Sequence, residues 1–473
     1  MTTFAETANP PLDSESVAAL ADTGLQFRLL DATAAAAATD TTAATDAEAE
    51  ALRRWLLAEA RGFHDPEPTI ERLAGQAAEI AGDRISGVYD DTGADAATPV
   101  ATIRSWLMDL TVPGGAALPA WAISSVTVSP THRRRGVARA LLGSELRTAA
   151  AAGHALAMLT VSEATIYGRF GFGPAVHQAH YRIDTTRTRW SGPTPDGRVQ
   201  FVTPESLLVD GPAVFDRARR QSPGEVDRRA DVWSSRLGLN PRHPGATSRD
   251  HRAVRYDDAA GVTQGYAVYT VAITGNSFPA RLTLVDLVAA TDDATAALWR
   301  FLIEMDLVTE IDAAGRSVSE ALPWLITDRR AVTKVDESDH LWLRLLDVPA
   351  ALEARRYAAA DTLRFDVSDD LGFAHGRFDL TVTADGAAHA TRVASAADSP
   401  TDTPDPSANL ADSATGPAHL AVTVADLGAL YLGGVSALDL VRAGRAQQLT
   451  HGAALRVDAV LRTPTPPFLS TGF

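Results

Sequence analysis

The segment Val126-Thr127-Val128-Ser129-Pro130-Thr131-His132-Arg133-Arg134-Arg135-Gly136-Val137-Ala138 gathers residue types that suit a diphosphate. An alternating strand pattern runs into Pro130, and a helical pattern begins at Val137. A helix N-terminus leaves several N–H groups without intrahelical partners and carries partial positive charge. Gly136 and Ala138 let an anion approach that backbone closely, and three arginines add forked donors. The spacing Arg-x-x-Gly-x-Ala is neither a Walker loop nor a dinucleotide fingerprint. The competing reading is a solvated basic helix start.

Several other positions carry side chains that could do chemistry. Tyr167, in Ser162-Glu163-Ala164-Thr165-Ile166-Tyr167-Gly168-Arg169-Phe170-Gly171-Phe172-Gly173-Pro174-Ala175, offers a phenol. With an ordinary pKa near 10, a phenol is protonated at neutral pH and can donate; otherwise it is a core tyrosine. Asp65, between His64 and Pro66, is a carboxylate that could serve a site or close a turn. Trp106 and Trp55 either line a pocket or fill the core. His132 is a catalytic imidazole or an exposed turn residue. The chain ends Pro466-Pro467-Phe468-Leu469-Ser470-Thr471-Gly472-Phe473, an apolar lead-in that favours docking of the terminus over fraying. No His/Asp/Glu cluster has metal-ligand spacing and the chain has no cysteine, so no metal is expected.

The elements that must position these groups follow from periodicity. Strands are expected at Leu25–Leu30, Ile85–Tyr89, Ala101–Thr111, Ala122–Val128, Ala155–Val161 and Val176–Ile183. Helices are expected over 46–61, where Leu52, Trp55, Leu56 and Ala60 share a face, over 67–80, and from Val137 to about Ala151. Pro113-Gly114-Gly115 is a turn. Residues 1–22 read as a loose arm and 23–190 as a first mixed domain. The turn-rich stretch Ser191–Gly197 opens a second, 191–340. Its expected strands are Val199–Val202, Gly265–Ile273 and Arg281–Ala289, followed by a helix over Thr295–Asp306. A third region, 341–473, holds a strand at Arg377–Val382, an amphipathic run at Val424–Leu432, and a polar insertion at Ala394–Pro417.

Composition narrows the function. With 43 basic and 59 acidic residues the net charge is −16, which disfavours general nucleic-acid binding and can draw in cationic substrates. No apolar run is long enough to span a membrane, and the N-terminus lacks the pattern of a signal peptide, so a cytoplasmic location is expected.

The turn at 126–138 resembles the acetyl-CoA-binding motif of the GNAT superfamily. Together with Ser162–Ala175, Leu110–Gly115, Leu341–Arg344, Val348–Arg355 and Leu430–Gly434 it is similar to the Eis-type N-acetyltransferases. The resemblance implies a mixed α/β and α+β chain: a catalytic GNAT domain, a second GNAT-like domain without the cofactor motif, and a sterol-carrier-protein-like domain. It implies a homohexamer. It assigns Val126 and Val128 to the pantetheine arm and thioester carbonyl of acetyl-CoA, and Arg133, Arg134, Arg135, Gly136, Val137 and Ala138 to the pyrophosphate. Ser162 and Glu163 fall near the cofactor, and Asp65 in the acceptor pocket. Tyr167 is the implied general acid. The terminal carboxylate of Phe473 is the implied base or ammonium anchor, although Gly472 stands where the family pattern has an acidic residue. The acceptor is expected to be a small polycation such as an aminoglycoside or polyamine. Transfer to protein lysines, or a non-catalytic lipid-carrier role, are the alternatives.

Overall fold

The apolar positions spaced three and four apart in the first long helix define the face that packs on the sheet beneath it, with Leu52, Trp55 and Leu56 all buried. The computed structural model describes residues 10–31, 43–239, 250–273, 279–393 and 416–473. The first region contains α1 (Ser14–Ala21), β1 (Gln26–Leu30), α2 (Ala43–Gly62), α3 (Ile70–Ile80), β2 (Arg84–Tyr89), β3 (Ala101–Thr111), β4 (Ala117–Val128), α4 (Val137–Ala151), β5 (Leu156–Thr160), α5 (Ala164–Tyr167) and β6 (Gly173–Asp184). The second contains β7 (Arg198–Val202), α6 (Leu207–Arg219), α7 (Ala230–Arg236), β8 (Arg252–Asp257), β9 (Thr263–Ile273), β10 (Ala280–Ala289), α8 (Asp292–Ile303), β11 (Val308–Ser317) and β12 (Val332–Leu345). The third contains α9 (Val348–Glu353), β13 (Asp361–Ser368), β14 (Gly376–Val382), β15 (Ala388–Val393), β16 (Ala418–Thr423), α10 (Val424–Leu430), α11 (Ala437–Arg442), β17 (Gln447–Gln448) and α12 (Ala453–Leu461).

One continuous twelve-stranded sheet runs through the first two regions in the order β1-β2-β3-β4-β5-β12-β6-β11-β10-β9-β8-β7. Strand β12, from the end of the second region, lies between β5 and β6 and pairs antiparallel with both. It therefore runs straight through the 340/341 boundary. Residues Leu341–Leu345 are fully buried in the large sheet, while the polar first half of the strand is more open. The third region has its own sheet, β15-β14-β13-β16-β17.

The third region is packed firmly on the first. Helix α10 crosses β6 so closely that a Cβ on Gly173 would stand 1.8 Å from the Ala425 carbonyl oxygen, and only glycine fits. Arg344, fully buried, donates to the Phe170 carbonyl at 2.8 Å and pairs with Asp369 at 2.7 Å. One apolar cluster accordingly joins Trp121, Leu141 and Phe172 to Leu427 and Leu430. The second region keeps separate cores around Trp299 and Trp233.

One expectation needs correction, and one open alternative is decided. Residues 14–21 form a helix, not part of a loose arm: Asp13 caps its N-terminus by accepting from the Ser16 N–H, and Leu20 is buried. Trp55 is core, with its indole N–H on the Ser86 carbonyl at 2.9 Å. The expected insertion at Ala394–Pro417 lies, apart from its last two residues, outside the described residues, as do residues 1–9 of the expected arm.

Candidate functional site

The site begins where two parallel strands part. β4 and β5 pair only at Trp121↔Ala157 and Ala122↔Met158. Beyond that point β4 shifts register against β3, and Ser125 takes a positive φ of 56°. A bulge of this kind bends the strand and redirects its edge. The stretch carrying Val126 and Val128 therefore stays paired to β3 but leaves β5, and both side chains are half-buried along the split. On the other side β5 turns to β12, where Thr160 pairs with Leu341.

The turn after β4 is shaped for an anion. Arg134 and Gly136 adopt left-handed backbone, φ 63° and 77°. Gly136 is the N-cap of α4, no side chain caps that terminus, and its first turn has no acidic residue. A Cβ at Gly136 would meet nothing within 4 Å, so the approach to these N–H groups is open. Among the described residues Arg133 and Arg134 form no ion pair, whereas Arg135 gives one donor to the Thr23 carbonyl at 2.7 Å. These features fit a pyrophosphate. His132 is otherwise engaged. Its Nε2 lies 3.1 Å from Asp90, whose carboxyl is held down at about 2 by hydrogen bonds from Thr92 first and His132 second.

Helix α4 is held over the sheet by a buried carboxylate. Glu145 receives Arg84 Nε at 3.1 Å, the Ser105 hydroxyl, and the Trp121 indole N–H at 3.1 Å. Its charge is paired and every donor comes from β2, β3 or β4, so the helix end carrying Gly136 is fixed relative to the split.

Tyr167 closes α5 just past β5. Its ring is buried and meets Phe172 edge-on at 6.4 Å. Burial raises the phenol above its ordinary value, and a hydrogen bond with Ser162 partly offsets that. Ser162 and Glu163 are exposed on the same loop, with Glu163 at the N-cap of α5.

The chain terminus ends at the split. The Phe473 N–H donates to Thr160 Oγ1 at 3.0 Å, and the Thr160 hydroxyl donates to a terminal oxygen of Phe473. Its ring stands edge-on to Trp106 at 5.6 Å. Trp106 pairs across the sheet with Ala122, the last β4 residue still bonded to β5. The buried Trp106 indole N–H has no acceptor among the described residues, leaving a donor in this wall. Arg104 and Arg229 flank the indole, 4.5 and 5.1 Å from its centre. Asp65 is exposed and borders a cavity of about 120 Å³ with Glu59, Phe63, Pro66, Arg72 and Gln76. Glu59 also accepts from the Ser125 hydroxyl, which ties that cavity to the β4 bulge. Thr160 and Glu59 were not singled out from sequence; a lone Thr or Glu without a spacing partner gives no signal there.

Comparison with known proteins agrees with this architecture. Residues 44–175 and 224–345 each match an acetyltransferase (GNAT) domain model, and 348–470 match a sterol carrier protein domain model. An uncharacterized N-acetyltransferase of Streptomyces avermitilis is 36% identical over 430 residues, covering 89% of this chain and 96% of its own. The N-acetyltransferase Eis of Mycobacterium tuberculosis is 35% identical, covering 76% of this chain and 81% of its own. The chain belongs to the Eis family of GNAT N-acetyltransferases. The crystal structure of Eis1 from Mycobacterium abscessus superposes with a TM-score of 0.70 at 30% identity, over 90% of this chain and 98% of that one. A GCN5-related N-acetyltransferase from Anabaena variabilis, 18% identical, shares the fold with a TM-score of 0.71, over 95% of this chain and 100% of its own. This Eis-family member is thus an acetyltransferase with tandem GNAT domains and a sterol-carrier-protein-like domain, in the order expected from sequence. GNAT acetyltransferases use acetyl-CoA. No helix among the described residues is long and apolar enough to cross a membrane.

Proposed function

We propose that the first domain transfers acetyl from acetyl-CoA to amines of small polycations such as aminoglycosides or polyamines, with Tyr167 as general acid and the Phe473 carboxylate as base. The observation that carries this reading is the terminus seated on Thr160 and Trp106, where β4 and β5 part. Arg133, Arg134 and the N–H groups from Gly136 to Ala138 would hold the pyrophosphate. The edge of β4 at Val126 and Val128 would face the pantetheine arm, with Ser162 and Glu163 beside it.

In the transfer a C–N bond forms between the acceptor amine and the acetyl carbon while the C–S bond breaks. The proton leaving the amine goes to the carboxylate of Phe473, and the phenol of Tyr167 protonates the departing thiolate. A free α-carboxyl is a weak base, with a pKa near 3.5. Burial of a carboxyl in general favours its neutral form and makes it a better proton acceptor. A raised phenol pKa keeps Tyr167 protonated. The −16 net charge supports a cationic acceptor, with Asp65 and Glu59 as nearby carboxylates.

Thiol release from acetyl-CoA, measured with a panel of polycationic amines, tests the proposal. The full chain should turn over, and a chain ending at Gly472 should lose at least ~100-fold in kcat, the usual contribution of a positioned acid or base. Turnover unaffected by the deletion would refute the assigned base. Failure with every small amine but turnover on a lysine-bearing protein would move the acceptor class.

A further inference from the structure

The tail reaches the split along a groove built largely by the second GNAT domain, the one without the cofactor turn. A strap, residues 223–229, leaves the second domain and lies against the end of β3. The Gly224 N–H donates to the Thr111 carbonyl at 2.8 Å, the Thr111 N–H to the Glu225 carbonyl at 2.8 Å, and the Asp227 N–H to the Asp109 carbonyl at 3.2 Å. Arg229 at its end pairs with buried Asp83 of the first domain at 2.8 Å and lies over Trp106. The opposite edge of the strap receives the tail. The Phe468 N–H donates to the Pro223 carbonyl at 2.8 Å, and the Ser470 N–H to Glu225 Oε2 at 3.0 Å. Arg228 donates to the Ser470 hydroxyl at 3.0 Å and Arg236 to the Ser470 carbonyl. His340 Nε2 lies 3.1 Å from the Thr471 carbonyl oxygen. The fit leaves no slack at Gly224, where φ is 95° and a Cβ would stand 2.7 Å from Val176 and 3.3 Å from the Phe468 carbonyl oxygen.

Glu225 is the least expected part. It is a fully buried carboxylate, 3% exposed, whose neutral form is favoured by burial. An ionisable group is retained at such a depth only where it is paired or hydrogen-bonded. Its partners are the Val226 N–H, at 3.2 Å, and the tail N–H of Ser470, with Arg228 beside it. The Arg228 charge is itself shared with buried Asp286 at 2.6 Å.

We propose that the second GNAT domain serves as the receptor for the C-terminal tail, with Glu225 as the positioning residue that sets where the Phe473 carboxylate lies. This rests on the assignment of that carboxylate to the transfer step. It gives the cofactor-free domain a part in the reaction: by gripping Ser470 it fixes the terminus three residues later.

The test uses full-length protein carrying Glu225→Ala or, as a milder change at a half-buried side chain, Arg236→Ala. Two readouts are taken. Carboxypeptidase release of Phe473, followed by intact mass, reports the tail without reference to activity. Steady-state kinetics report kcat and the KM for acetyl-CoA. Both variants should release Phe473 at least tenfold faster than the unsubstituted chain. Their kcat should fall at least tenfold, with the acetyl-CoA KM within twofold. Deleting Phe473 from Glu225→Ala should bring the loss to that of the Phe473 deletion alone and no further. Release at the unsubstituted rate in both variants, or a loss that adds in full to the Phe473 deletion, would overturn the proposal. If the unsubstituted chain transfers acetyl to nothing, the reading of the reaction fails, and the release rates alone decide the receptor role.

Discussion

The two GNAT domains repeat one unit, strand–helix–parallel strand, and differ at the helix start. In the first domain β4 runs through Pro130 and three arginines to Gly136, and α4 opens uncapped with no acidic residue in its first turn. In the second, β10 reaches α8 after only two residues. Thr291 caps that helix by accepting from the Ala294 N–H at 3.1 Å, and Asp292 and Asp293 occupy its first turn. A cap consumes a free N–H, and two carboxylates cancel the positive end of the helix dipole. The strands part in both copies: β10 pairs with β11 only from Ala280 to Thr283 and has its own bulge against β9 between Leu284 and Asp286, so the helix start is what distinguishes the two. The same scaffold thus begins its helix uncapped and without carboxylates in one copy, and capped and acidic in the other. The second copy also supplies the strap whose outer edge holds the tail.

Replacing Tyr167 by Phe should cause the largest effect, because it removes the proton donor proposed for the first domain. We expect kcat to fall ~10²- to 10⁴-fold, the range for a positioned proton donor. Burial raises the Tyr167 phenol, so its protonated form persists past its ordinary value of 10.0. The rate governed by this group should therefore hold up to that pH and fall only as pH rises through the raised pKa. A Tyr167-dependent fall centred below pH 9 in a pH–kcat profile would contradict the assignment.

Next comes the anchoring of the two helices. α4 is tied down by Glu145, while α8 packs through Leu298, Trp299 and Leu302. Glu145→Ala removes the buried carboxylate shared by Arg84, Ser105 and Trp121 and should cost ~3–5 kcal/mol, as breaking a buried pair typically does. Denaturant unfolding measures this, and a loss below 1 kcal/mol would show that apolar packing alone holds α4. The smallest effect belongs to the cap of α8. Thr291→Ala should cost ~1 kcal/mol of stability and leave acetyl-transfer kinetics unchanged. A shift in acetyl-CoA KM on this substitution would indicate that α8 is not silent.

Much of the site was legible because its signals are local. The Arg-x-x-Gly-x-Ala turn, the start of α4 at Val137 and the exact span of β3 follow from spacing that the backbone itself obeys. The terminal apolar lead-in correctly pointed to docking, and Trp106 lies in the wall it docks against. What escaped sequence reading is long-range. The first nine residues of β12, Val332-Thr333-Lys334-Val335-Asp336-Glu337-Ser338-Asp339-His340, are mostly polar on both faces, since only the strand's end is buried. Nothing in them announces a strand inserted between β5 and β6. Helix α1 is short, and what fixes it is Asp13 at its cap and Arg147 from α4, 2.8 Å from Asp13. Helix α8 begins three residues before its expected start, because the Thr291 cap outranks the apolar pattern that starts later. Glu225 shows no periodicity at all, and its meaning depends on a tail nearly 250 residues away.

The central claim is that one domain of the two holds acetyl-CoA. Calorimetric titration of acetyl-CoA into the full chain tests it most directly, alongside the double variant Arg133→Ala/Arg134→Ala. One site per chain is predicted, weakened at least ~10-fold in the double variant by loss of two charged contacts to phosphate. Two sites per chain, or one site whose affinity survives the double substitution, would contradict the account.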